Sequence, residues 1–299
     1  MSRALGYGRC VSTPPFVDLP TGATVERWPV RGSERSVMHL GLEATTHWAV
    51  LVPGFTGSKE DFIAMLPVLA DAGVGVLAFD QLGQYQSAGS DDPADYDVDL
   101  LAADLIEIVG EATRRRGRPG GPHLVGHSFG GLVAQAAVAT GGLRPASLTL
   151  LCTGPGALPE ERWEGLPGLV EALDEHDLAT IWRIMKEMEE AEDLVPPPAP
   201  VLAFLEDRWH ANHPVQLRQV AQHLMREPDR TSDLATIVAA GLPTTVMWGE
   251  HDDAWPVAMQ QAMADRLGAD AVELPGLGHS PNAQDAPAAV RALVGAWGI

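Results

Sequence analysis

Lysine is nearly absent from this chain of 299 residues: Lys59 and Lys186 are the only two. So few amines leave little scope for Schiff-base chemistry. Forty acidic side chains against twenty basic ones give a net charge of −20. That balance argues against nucleic acid and anionic membrane surfaces, both of which attract clustered Lys and Arg. Cysteine is equally scarce: Cys10 and Cys152 stand far apart and match no metal or redox spacing. There is no G-x-G-x-x-G fingerprint and no P-loop lysine, so no nucleotide cofactor is expected. The pair His210-x-x-His213 stands beside the helix breaker Pro214 with no third ligand in view, and no metal is expected. No apolar run reaches membrane-spanning length, and Met1 to Pro20 contains no stretch of signal-peptide length. The expectation is a cytoplasmic protein with reduced thiols, without membrane contact.

What is present is enough hydrophobic residue, 45%, for one large core. After a Gly/Pro-rich arm over residues 1–22, two strand-like stretches, Ala23–Val30 and Arg35–Leu42, flank the turn signal Arg31-Gly32-Ser33. Short apolar runs then recur at His47–Val52, Val74–Phe79, Pro122–Val125, Ala146–Leu151, Pro243–Trp248 and Ala271–Leu274. They alternate with helical patterns near Lys59–Ala72, Asp95–Arg116, Phe129–Thr140, Val257–Leu267 and Pro287–Trp297. Unbroken apolar strands alternating with helices predict an α/β fold whose mostly parallel central sheet is flanked by helices on both faces. Between about Gly154 and Leu234 the alternation stops and four helical patterns follow one another. This predicts an inserted helical cap over residues 155–234, dividing the core into residues 1–154 and 235–299.

Gly126-His127-Ser128-Phe129-Gly130 falls between the run Pro122–Val125 and the helical pattern that follows. G-x-S-x-G in that strand–turn–helix context forces a serine into strained backbone, with small flanking residues to make room, and projects its hydroxyl above the sheet. Asp252 and His279 follow in the order Ser…Asp…His. A serine hydroxyl needs a base to act as a nucleophile at neutral pH, and His279 stands in a loop able to reach the turn. Asp252 and Asp253 both follow the strand-like Pro243–Trp248. His127 is expected to point away from the site, and His251 is a further candidate for lining it.

Four further stretches complete a resemblance to the α/β-hydrolase superfamily, of the cap-bearing serine esterase and peroxidase-like type. Val52-Pro53-Gly54-Phe55-Thr56-Gly57-Ser58 resembles its His-Gly-Phe loop, with Pro53 where many members have His. Asp80 to Ser87 resembles its Asp-x-x-Gly-x-Gly-x-Ser loop, with Gln84 and Tyr85 at the usual Gly-containing step. Gly249 to Pro256 resembles the Gly-x-x-Asp-x-x-x-Pro acid loop, which selects Asp252 over Asp253, and Gly278-His279-Ser280-Pro281 resembles the histidine loop.

The resemblance implies a cofactor-free serine hydrolase acting through an acyl-enzyme on Ser128, oriented by His279 and Asp252. Its substrate is expected to be a small or medium apolar ester, lactone or thioester. Carbon–carbon bond hydrolysis, perhydrolase activity and a receptor-like role with little turnover remain open alternatives. Acyl transfer needs donors for the oxyanion, expected from the backbone N–H groups of Phe55 and Phe129. Aromatic residues of the cap, Trp163, Trp182, Phe204 and Trp209, are the candidates for the substrate pocket.

Overall fold

The computed structural model describes residues 12–163 and 165–299; Cys10 and the first part of the N-terminal arm lie outside that range. Eight strands form one sheet in the order β1-β2-β4-β3-β5-β6-β7-β8. β1 (Thr24–Val30) and β2 (Ser33–Leu40) form an antiparallel hairpin in which Val30 pairs with Ser33. Arg31 and Gly32 between them both take positive φ, 47° and 79°, as a tight hairpin turn requires.

The remaining strands are β3 (His47–Val52), β4 (Val74–Phe79), β5 (His123–His127), β6 (Ser147–Leu151), β7 (Thr244–Gly249) and β8 (Asp270–Leu274). From β4 across to β8 every pairing is parallel, and β2 joins β4 antiparallel. Every residue of β4, β5, β6 and β7 is buried, which is why those strands appear in the sequence as continuous apolar runs.

The helices of the sheet layers are α1 (Met65–Asp71), α2 (Val98–Arg116) and α3 (Phe129–Ala139). The next four helices, after β6, are α4 (Leu166–Glu175), α5 (Leu178–Ala191), α6 (Ala199–Ala211) and α7 (Pro214–Arg226). After them come α8 (Thr231–Ala239), α9 (Val257–Leu267), the short α10 (Pro281–Gln284) and α11 (Ala286–Trp297). One apolar cluster joins α2, α3 and α9 to one sheet face, and a second joins α1 and α11 to the other. α8 straddles residues 234 and 235 and packs on α3 and α9, with the sheet layers.

Two turns differ from the helical patterns. Lys59–Phe62 is a tight 3₁₀ turn followed by the separate α1, and Glu160–Arg162 is another, ended at Trp163, with Gly165 at φ 85° opening α4. The four inserted helices are tied to the core at specific points. Arg208 of α6 forms an ion pair with Asp61 at 2.6 Å, and the amide of His213 donates to the Gly83 carbonyl at 2.8 Å.

The strand order sets the place of the site. β3 lies between β4 and β5, so the chain leaves β3 in one direction and returns to β5 in the other. The loops at the carboxyl ends of two such strands diverge and leave a crevice between them. The loop after β3 and the turn after β5 meet there, under the inserted helices.

Candidate active site

β5 ends at His127, and Ser128 turns the chain into α3 with φ 54° and ψ −126°, a conformation that costs a non-glycine residue about 1–3 kcal/mol. The turn is held from both sides: the Ser128 amide donates to the Leu151 carbonyl at 3.0 Å, and the Ser128 carbonyl accepts from Gly131 at 2.8 Å. A Cβ on Gly130 would collide with the main-chain oxygens of Val52 and Pro53, and a Cβ on Gly126 would lie 2.6 Å from the Gly130 oxygen. Both glycines of the motif are therefore required by close backbone approach.

Three residues from separate loops converge on this turn. His279 Nε2 lies 3.0 Å from Ser128 Oγ, and His279 Nδ1 lies 2.8 Å from Asp252 Oδ1. Ser128 and His279 are 8% and 7% exposed, so the hydroxyl and imidazole sit under cover yet within reach of a small molecule. Asp252 also accepts from the Ala254 amide at 3.0 Å and from Gln260 Nε2 of α9 at 2.8 Å, which leaves its carboxylate fixed toward His279. Asp253, next in sequence, is exposed.

Burial works to lower the His279 pKa, but the charge and hydrogen bond of Asp252 outweigh it and raise it above the ordinary 6.5. For Asp252 burial pushes the carboxyl up, yet His279 and its hydrogen-bond donors hold it below the ordinary 3.8. The pair thus favours Asp⁻ with the imidazole donating through Nδ1, leaving Nε2 free to accept the serine proton.

The loop after β3 runs against the turn so closely that a Cβ on Gly54 would lie 3.0 Å from Ser128 Cβ. Phe55 follows and contributes to the walls of the cavity over Ser128. Phe129 opens α3, so its amide belongs to a helix N-terminus that carries partial positive charge, while its ring is buried in the core away from that cavity.

That cavity has a volume of about 50 Å³, with Phe55, Leu158, Leu166, Leu224 and Trp255 as apolar walls and Asp61, His127 and Arg162 also on its lining. None of the four aromatic residues singled out from the sequence lines it. Trp163 turns its Nε1 to the Leu158 carbonyl at 2.9 Å. Phe204 packs edge-on against Tyr85, with ring centroids 5.5 Å apart. Trp182 and Trp209 stack at 6.5 Å on the wall of a second cavity, of about 240 Å³, which shares Thr56 with the first. The inserted segment instead meets Ser128 through leucines, because the turns of α4 and α7 that face the core carry Leu166 and Leu224.

His127 does not point away. Its ring lies 5.2 Å from that of His279, and its Nε2 donates to the His279 carbonyl at 2.8 Å. Burial, followed by the nearby His279 charge, lowers its pKa to about 3, so it remains neutral. Gln260 was also not singled out from the sequence; a glutamine on the buried face of a predicted amphipathic helix is the signal that marks it. His251 is exposed and lines a polar cavity that includes His279 but not Ser128.

Among the described residues two groups bring three possible metal ligands within 4.8 Å: His127, Cys152 and His279, and Asp252, Asp253 and His279. Each would occupy the imidazole already committed to Ser128 and Asp252, and burial raises the Cys152 thiol far above the range in which a thiolate ligand forms. His210 and His213 face Glu206 and Asp91 instead of each other.

A parallel sheet with a serine on a strained turn after β5, and an acid and a histidine on later loops, defines the hydrolase class of α/β proteins. Residues 49–293 match the alpha/beta hydrolase family, and the chain belongs to it. RutD of Variovorax paradoxus, assigned as a carbamate hydrolase, is 34% identical over 102 residues, a stretch covering 34% of this chain and 36% of that protein. The match therefore spans about a third of that relative's length. A hydrolase from Pseudomonas aeruginosa superposes with a TM-score of 0.74 at 21% identity, covering 94% of this chain and 100% of the other. The enol-lactonase of Burkholderia xenovorans gives 0.73 at 20% identity, covering 92% and 100%. At that identity these two speak for the fold alone. No helix among the described residues is long and apolar enough to cross a membrane.

Proposed function

We propose that this chain is a serine hydrolase that cleaves small or medium apolar carboxylic esters, lactones or thioesters through an acyl-enzyme, without a cofactor, in the cytoplasm. The observation that carries the reading is the relay Ser128 Oγ to His279 Nε2 at 3.0 Å and His279 Nδ1 to Asp252 at 2.8 Å.

In acylation Ser128 Oγ attacks the substrate carbonyl carbon while His279 Nε2 takes the hydroxyl proton. The carbonyl π electrons move to oxygen, and that oxyanion is held by the amides of Phe55 and Phe129. Collapse breaks the bond to the leaving group, which receives the proton from His279. Water then enters, gives a proton to His279 and attacks the acyl carbon, and the acid departs as Ser128 regains its proton. Asp252 keeps the imidazole in one tautomer throughout and does not take the proton.

The apolar walls support an uncharged acyl or alcohol group, and the small volume over Ser128 supports a short one. Helices α4 to α7 act as the cap in this reading, with Leu158, Leu166 and Leu224 as the residues that meet the substrate.

The test is turnover of p-nitrophenyl esters of graded chain length, with a lactone and a carbamate alongside, by the wild type and by Ser128→Ala. Ester turnover that vanishes in the variant supports the reading. Ester turnover unchanged by the substitution contradicts it, and binding without turnover favours a receptor-like role.

A further inference from the structure

The loop after β3 is gripped by two glutamines from the loop after β4. Gln84 Nε2 donates to the Gly54 carbonyl at 2.7 Å and to the Phe55 carbonyl at 2.9 Å. Gln81 Nε2 donates to the Pro53 carbonyl at 2.9 Å. Gln84 is fully buried, and its Oε1 accepts from the Gln81 amide at 3.0 Å, so each end of its side-chain amide is committed. The loop that carries it is itself anchored. Asp80 binds the buried Lys59 at 2.9 Å, and Tyr85, at φ 37°, gives its amide to Asn212 of the inserted segment at 3.2 Å.

In a planar trans peptide the C=O of one residue and the N–H of the next point in opposite directions. There are no cis peptide bonds among the described residues. Holding the Gly54 carbonyl from the core side therefore fixes the N–H of Phe55 on the opposite side, where Gly54 and Phe55 border the cavity over Ser128. We infer that Gln84 is a positioning residue for the reaction: by holding the Gly54 and Phe55 carbonyls it aims the Phe55 amide at the oxyanion, with Gln81 extending the grip to Pro53.

Only a side chain with two N–H donors at this point satisfies two carbonyls at once; a carboxylate would set acceptor against acceptor. In the Asp-x-x-Gly-x-Gly-x-Ser pattern Gln84 falls on an unrestricted position and Tyr85 on the second Gly, so the clamp is supplied where the pattern leaves the residue free, and Tyr85 anchors it to the inserted helices. The inference rests on the serine-hydrolase reading and on Phe55 as a donor to the oxyanion.

The experiment compares the full-length wild type, Gln84→Leu and Gln84→Glu in three measurements. These are p-nitrophenyl butyrate kinetics, inhibition by an aliphatic trifluoromethyl ketone that forms a tetrahedral oxyanion on serine, and the pH profile of kcat/KM. Loss of one oxyanion donor lowers kcat by about 10²–10³, so loosening it is expected to lower kcat about 10- to 100-fold and weaken the ketone by a similar factor. KM is expected to move less than about threefold, as for an interaction made mainly in the transition state. The acid limb of the profile stays in place because Ser128, His279 and Asp252 are untouched. A role in folding alone would leave kcat and ketone affinity unchanged in the folded fraction, and that result overturns the inference. Where neither variant folds, Gln81→Leu, which releases only the Pro53 carbonyl, is read by the same measurements, and unchanged kcat and ketone affinity overturn it equally. A wild type that neither turns over the ester nor binds the ketone refutes the serine-hydrolase reading itself; a competent wild type matched by its variants refutes only the clamp.

Discussion

His127 carries the backbone of His279: the imidazole next to Ser128 donates through Nε2 to the main-chain carbonyl of His279 at 2.8 Å. The loop that presents His279 is thereby fastened to the last residue of β5, 152 positions earlier. A buried carbonyl deprived of its donor costs about 1–3 kcal/mol. His127→Phe is expected to lower the thermal midpoint correspondingly and to reduce kcat, whereas His127→Gln, which can restore the N–H, recovers part of both. Thermal unfolding and ester kinetics on the two variants check this, and equal behaviour of Phe and Gln would assign His127 to packing alone.

The pH dependence of activity follows from the His279–Asp252 pair. The proposed mechanism needs neutral His279, and its pKa is raised, so kcat/KM should increase with pH through an acid limb whose midpoint lies above 6.5. His127, held near 3, contributes nothing to that limb. Asp252→Asn should lower kcat by about 10⁴, as loss of the orienting acid does in triads of this kind, and shift the limb downward. Asp253→Asn should change both little. The stability contribution has the matching sign. That of the raised His279 is fully present below 6.5 and is lost as the pH rises through the folded value, a trend that thermal melts at graded pH will follow.

Arg208 and Asp61 form an ion pair at 2.6 Å in which both side chains are almost wholly buried. Burial pushes the Asp61 carboxyl up to about 6, against the pull of Arg208. Removing one partner of a buried pair leaves the other charge uncompensated, at about 3–5 kcal/mol. Arg208→Met is expected to destabilise strongly at pH 8 and less at pH 5, where Asp61 can take up a proton. Chemical denaturation at the two pH values measures the difference; an equal loss at both would show that Asp61 is not left charged.

Chain-length preference should respond to the leucines, not to the tryptophans. Leu166→Ala and Leu224→Ala widen the cavity over Ser128, at about 2–5 kcal/mol of stability each, and should raise kcat/KM for longer acyl chains relative to short ones. Trp163→Ala should lower stability and leave that ratio unchanged. The ratio of kcat/KM for butyrate and octanoate esters separates the two groups.

Which features the sequence displays follows from how local their cause is. Strands β4 to β7 are buried on both faces, so their apolar runs stand out one after another. The turn at Ser128 needs Gly126 and Gly130 within two residues of it, so its constraint is written into five consecutive positions. The walls of the cavity are another matter. Whether Leu166 or Trp163 faces Ser128 depends on how the chain turns at Gly165 between the 3₁₀ turn that Trp163 ends and α4 that Leu166 begins, and the sequence shows both only as apolar residues. α8 merges into the inserted segment because its partners, α3 and α9, are distant and no strand separates it from α7. The grip of Gln84 on the loop after β3 and the Arg208–Asp61 pair leave no local mark for the same reason: their partners lie 29, 30 and 147 positions away.

The most direct measurement is the site of covalent capture by a fluorophosphonate. Activated serine should add one phosphonyl group per chain, with fluoride leaving, and peptide mass spectrometry should place the adduct on Ser128. Ser128→Ala and His279→Ala should abolish the labelling while each protein keeps its fold by circular dichroism. An adduct on another residue, or a folded wild type that takes up none, would contradict Ser128 as the nucleophile and the hydrolase mechanism built on it.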